Sequence, residues 1–100
     1  MMKLVYYVGD TVVKEKEVTI DEVDSAVYEI ELQDYKAIGI DPEKCAEYDE
    51  DGYFDGYIGL KLENKGWLVW QNSEGERGFD FDIKDLDIDD RVKAAVSSLY

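Results

Sequence analysis

The chain predicts one α+β domain spanning 1–100: an antiparallel sheet of about five or six strands, a short middle helix, and a C-terminal helix packed on one face. Three observations lead there. A β-branched and aromatic run near the start is broken by a Gly-Asp turn, a meander-like alternation fills the second half, and the last dozen residues carry an apolar stripe at helical spacing. A length of 100 residues suits a single core.

Leu4-Val5-Tyr6-Tyr7-Val8 reads as a strand, and Gly9-Asp10 turns it into a second arm from Thr11 toward Ile20. On that arm Val13, Glu15 and Glu17 alternate with Val12, Lys14, Lys16 and Val18, so most of it faces water and it reads as an edge strand. Ala26, Tyr28, Ile30 and Leu32 alternate with Val27, Glu29, Glu31 and Gln33, which predicts a strand with an acidic outer face. Thr19-Ile20-Asp21-Glu22 could instead cap a short helix through the same region. Asp41-Pro42 predicts an N-cap and first helical position for a helix from Pro42 to about Tyr48, ended by Asp49-Glu50-Asp51-Gly52.

Tyr57–Glu63, Trp67–Asn72 and Gly78–Lys84 read as three strands joined by short polar turns. In the last, Phe79, Phe81 and Ile83 share one face and Asp80, Asp82 and Lys84 the other. The odd separation of Trp67 and Trp70 predicts opposite faces, one ring in the core and the other exposed or covered by the helix. Asp87 or Asp89 caps a final helix whose Ile88, Val92, Ala95, Val96 and Leu99 form the buried stripe.

The chemistry is narrowed by what the composition omits. There is no His and one Cys, Cys45, so a disulfide framework, a cysteine zinc site and the usual nucleophile–base pairs are excluded. Ser25, Ser73, Ser97 and Ser98 lie in no glycine-flanked elbow, and no phosphate-binding glycine motif or other cofactor signature occurs. With 25 Asp and Glu in the chain, a chance pair of carboxylates says little about hydrolysis. Cys45, next to Lys44 among many acids, reads as a structural thiol. Nothing at Met1-Met2-Lys3 resembles a signal peptide and no long apolar stretch follows, so the expected location is cytoplasmic.

Charge is the strongest signal. The formal net charge is −14, with 25 acids against 11 Lys and Arg. That repels phosphate and anionic lipid, so direct binding to nucleic acid or membrane is not expected, and basic protein surfaces or cations are the natural partners. Solubility needs only about 2 to 8 net charges on a small domain. All but Asp10 and Glu63 of the acids fall within Glu15–Asp34, Asp41–Gly56 and Glu74–Asp90. Carboxylates two apart on a strand stand about 6 to 7 Å apart, close to successive phosphates. Glu15 with Glu17, Glu29 with Glu31, and Asp80 with Asp82 have that sequence spacing. In the middle segment Tyr48, Tyr53, Phe54 and Tyr57 interleave with acids in the manner of a binding surface.

The segment Glu47-Tyr48-Asp49-Glu50-Asp51-Gly52-Tyr53-Phe54-Asp55 resembles an EF-hand calcium loop. That resemblance implies Glu47, Asp49 and Asp51 as ligands, Gly52 as the sharp turn and Asp55 as a further ligand. Ile58 stands where the family places its bidentate Glu, and a strand follows instead of a second helix. In size, acidity and lack of catalytic groups the whole chain is similar to the small anti-restriction and anti-CRISPR inhibitors that mimic DNA. This implies a non-catalytic inhibitor that blocks a basic DNA- or RNA-binding groove of a host-defence protein. The contact residues expected are Glu29, Glu31, Asp49, Glu50, Asp51, Tyr53, Phe54, Asp55, Asp80 and Asp82. Two alternatives share the composition: an immunity protein that neutralises a nuclease toxin, and a calcium-binding or regulatory domain using the 47–55 loop.

Overall fold

A computed structural model describes residues 1–100. Strands β1 (Met2–Val8), β2 (Thr11–Val18), β3 (Gly56–Leu62), β4 (Gly66–Asn72) and β5 (Arg77–Gly78) form one antiparallel sheet in the order β2-β1-β3-β4-β5. Helices α1 (Val23–Leu32) and α2 (Asp90–Ser97) complete an α+β fold. Both helices feed one core: Val23, Ala26, Val27 and Ile30 of α1 and Val92, Ala95 and Val96 of α2 join Leu4, Tyr6, Ile58, Leu60 and Val69 of the sheet. Leu4, Ile30, Ile58, Leu60, Leu68, Val23, Val69 and Val96 are fully enclosed. Each such side chain is worth roughly 1.5–3 kcal/mol relative to exposure.

The first hairpin forms as its residues predict, with Gly9 at φ 56 supplying a turn conformation that a side chain would strain. β2 is an edge strand, most of it exposed. One detail differs. Tyr6 pairs with Lys14 but Tyr7 with Val12, so Val13 is an extra, bulged residue and Val12 lies on the face of Glu15 and Glu17.

The segment expected as a third strand is helix α1. Its residues satisfy two periods at once, and burial selects the helical one: Val23, Ala26, Val27 and Ile30 face the core, while Tyr28 and Leu32 are left exposed. The start signal is the alternative one, since the Glu22 carboxylate accepts the Thr19 N–H at 3.0 Å and the Thr19 hydroxyl at 2.8 Å. The helix stops at Gln33, which adopts a left-handed φ of 54. Its side-chain amide donates to the Ile30 carbonyl at 2.6 Å and the Gln71 carbonyl at 3.0 Å, and its oxygen accepts the Tyr35 hydroxyl at 2.7 Å. One residue thus closes the helix and ties it to β4.

The helix expected from Pro42 to Tyr48 does not form. Asp41 does cap a turn, accepting the Glu43 N–H at 3.1 Å, but the chain must be extended by Tyr48, which bridges Phe54 across a small hairpin. Between them only Cys45 packs against the core, so no apolar stripe supports a further turn. The strand expected over Gly78–Lys84 is cut to β5. At Asp80 the side chain accepts the Trp67 N–H at 2.7 Å, and a 3-10 turn (Ile83–Asp85), capped by Asp82 accepting from the Lys84 N–H, follows immediately. Phe79 is therefore exposed while Ile83 is buried, and the expected shared face of Phe79, Phe81 and Ile83 is lost. α2 begins as expected, with Asp89 accepting the Arg91 N–H at 2.8 Å and Val92, Ala95, Val96 and Leu99 buried.

Trp67 and Trp70 lie on the same face. Leu60 pairs with Val69 and Lys61 with Trp67, so Leu68 is an extra residue and the phase of β4 resets between the two rings. Leu68 and Val69 are both fully buried as a result. The tryptophans stand on the side of the sheet that carries no helix. There Tyr7 stacks on Tyr57 at 4.6 Å, Trp67 meets both edge-on at 5.9 Å, and Lys61 sits over the rings of Tyr7 and Trp67.

Candidate functional site at the acidic end of the sheet

Three turns meet where β1 ends, β3 begins and β4 ends. The Gly9 N–H donates to the Asp55 carbonyl at 2.7 Å, and the Ser73 N–H donates to the Gly56 carbonyl at 2.8 Å while its hydroxyl donates to the Phe54 carbonyl. The 47–55 loop between them is a tight hairpin. Asp49 and Tyr53 pair at 2.8 Å, Asp55 and Glu47 at 3.1 Å, and Gly52 takes the left-handed turn position at φ 83. Phe54 anchors the hairpin by packing edge-on against buried Tyr35, with centroids 4.9 Å apart. Tyr53 and Tyr48 stay exposed at its tip and side.

These turns carry Asp10, Glu47, Asp49, Glu50, Asp51, Asp55, Glu74 and Glu76, and none of the eight makes an ion pair. Crowding shows in the protonation equilibria. A hydrogen bond with the Asp49 carboxyl pushes Glu74 up to about 7, with the charges of Asp49, Glu76 and Asp51 acting in the same direction. Asp49 is held below the usual carboxylate range by Glu74 and by the N–H groups of Tyr53 and Asp51, which its Oδ1 accepts at 3.1 and 3.0 Å. This end of the molecule is thus a dense negative surface that retains a proton near neutrality.

The sequence-derived contact residues divide among three places. Asp49, Glu50, Asp51, Tyr53, Phe54 and Asp55 are together at this end, with Phe54 turned inward. Glu29 and Glu31 are on α1, where residues two apart point to opposite sides, so the expected phosphate-like spacing is absent. Glu29 is half-buried and partnered: it accepts the Tyr6 hydroxyl at 3.0 Å and pairs with Lys16 at 2.8 Å and Lys14 at 3.8 Å. Burial pushes its pKa up, and these partners more than reverse that, holding it below the usual range. Glu31 is exposed on the far side. Asp80 and Asp82 lie beyond β5, near Tyr100, away from the acidic end. Glu15 and Glu17 keep their shared strand face, but Glu15 is paired with Lys3 at 2.9 Å.

The calcium-loop arrangement is not formed. No helix precedes the loop, the Asp49 carboxylate is occupied by backbone N–H groups, and no three acidic side chains converge where a cation could be held. Asp10, Glu74 and Glu76 were not anticipated at the site. The signal available for them was positional, since each follows or precedes a strand end that an antiparallel order brings to the same edge. Comparison with protein-family models, curated proteins and solved structures finds no match to this chain.

Proposed function

We propose that the chain is a non-catalytic acidic binding protein that occupies a basic, nucleic-acid-binding surface of another protein, in the manner of an inhibitor of host defence. The observation that carries this reading is the set of eight carboxylates without ion pairs on three interlocked turns at one end of the sheet. Acids elsewhere have local uses as caps and ion pairs, at Glu22, Glu29, Asp41, Asp80, Asp82 and Asp89. At this end only Asp49 also caps backbone N–H groups, so most of the charge faces outward, and a cationic partner would relieve the contact with Asp49 and the neighbouring charges that push Glu74 up to about 7. Long-range attraction would speed association and weaken with salt over a Debye length of about 8–10 Å.

The test is capture from bacterial lysate at low and high salt, using the chain and a Glu50→Lys, Asp51→Lys, Glu76→Lys variant whose exposed side chains cap nothing. Support is a nucleic-acid-binding protein retained by the chain, released by added DNA or RNA, and lost with the variant. A partner that nucleic acid does not displace, or that the charge-reversed variant retains, overturns the reading. Capture of a nuclease toxin would place the same acidic-on-basic contact in an immunity protein.

A further inference from the structure

A separate cleft of about 480 Å³ lies between the chain leaving β5 and the end of α2. Phe79, Phe81 and Tyr100 give it an aromatic lining. Phe79 and Tyr100 stack in parallel with centroids 4.2 Å apart and remain about half exposed, at 51% and 45%. Phe81 packs partly against the core beside them. The stack is fixed in place, because the Tyr100 hydroxyl donates to the Leu68 carbonyl at 2.7 Å. Asp80 and Asp82 edge the cleft, each oriented by a backbone N–H: Asp80 Oδ2 accepts from Trp67 and Asp82 Oδ1 from Lys84. Each carboxylate keeps a second oxygen, and Lys84, which also lines the cleft, pairs with neither.

We propose that this cleft binds the guanidinium of an arginine side chain presented by a partner polypeptide. Aromatic faces attract a cation through the ring quadrupole, and the carboxylates of Asp80 and Asp82 among the lining residues supply the counter-charge. Arginine fits this pair of features better than lysine. Its planar head stacks on a ring and donates along its edge at the same time, and it gives up water more readily than an ammonium. A neutral apolar ligand would give the second oxygen of each carboxylate no donor. The cleft is remote from the acidic end, so the assignment stands or falls independently of the function proposed above.

The experiment is a titration of the full chain with N-acetyl-arginine N-methylamide followed by backbone and aromatic NMR shifts, with the lysine analogue in parallel. Saturable one-site shifts at Phe79, Phe81 and Tyr100 are expected, with the lysine analogue weaker by about threefold or more. Asp82→Asn keeps the cap and Phe79→Leu alters an exposed ring, so both should fold, and each should weaken binding about three- to tenfold. Glu50→Lys with Asp51→Lys should leave the titration unchanged. Shifts centred on 47–55, non-saturating shifts over all carboxylates, or wild-type titration by both cleft variants would overturn the proposal.

Discussion

Gly59→Ala tests the central packing feature of the open sheet face. A Cβ at residue 59 would lie 2.6 Å from Trp67 Cε3 and Cζ3 and 2.8 Å from Trp70 Cβ. Carbon atoms in contact prefer about 3.5–4.0 Å, so each neighbour must retreat by roughly 1 Å. The Trp67 ring is packed against Tyr7, Tyr57 and Lys61, and Trp70 Cβ is fixed to the backbone. Overpacking of this kind costs about 1–3 kcal/mol. Replacing glycine within a strand returns part of that, about 0.5–1 kcal/mol. The expected net loss is about 1–2 kcal/mol, and a domain of this size loses roughly 4–8 °C of Tm per kcal/mol. Urea and thermal unfolding followed by far-UV circular dichroism measure it. In a Trp67→Leu background the cost should shrink by about 0.5 kcal/mol or more, leaving the Trp70 clash. If Gly59→Ala is as stable as the parent, or costs the same in both backgrounds, the two tryptophans do not share the face assigned to them.

Two further outcomes follow from the polar contacts. Gln33→Ala removes the partner of the buried Tyr35 hydroxyl and one donor to the Gln71 carbonyl, an expected loss of about 1–3 kcal/mol in urea unfolding. Gln33→Gly should lose less than Ala, because glycine tolerates φ 54; equal or greater loss would mean that the backbone at residue 33 is not held left-handed. Glu74 binds its proton more tightly folded than unfolded, so its contribution is full below its ordinary pKa and disappears as pH rises through about 7. Glu74→Gln should therefore flatten the fall in urea midpoint between mildly acidic and alkaline pH. An unchanged slope would show that Asp49 and Glu74 do not share a proton.

The legible parts of the fold are those where one local signal agrees with tertiary packing. The turn at Gly9-Asp10 and the stripe from Val92 to Leu99 each had only one reading, while the cap of the last helix was open between Asp87 and Asp89 until the structure chose Asp89. Ala26–Gln33 had two, because Ala26 and Ile30 belong to both an alternating set and a helical one. The cap formed by Thr19 and Glu22, together with the inward neighbours Val23 and Val27, decides for helix. The bulge at Leu68 left a faint trace, an unbroken apolar run from Trp67 to Trp70 inside a strand, and a one-residue insertion reverses every assignment beyond it. Of the candidate site, the 49–55 acids were visible as a run, whereas their convergence with Asp10, Glu74 and Glu76 depended on strand order, which composition does not encode.

Both tryptophans of the chain stand in the aromatic cluster on the open face, across the sheet from the helices. Tryptophan emission, excited selectively over the eight tyrosines, therefore samples a single patch of this protein. A ligand laid across that face must alter the emission directly, whereas one seated on the 47–55 hairpin has to transmit a distortion along β3 or β4 before it is seen. The natural sequence thus contains its own label for telling which side of the sheet a partner has covered.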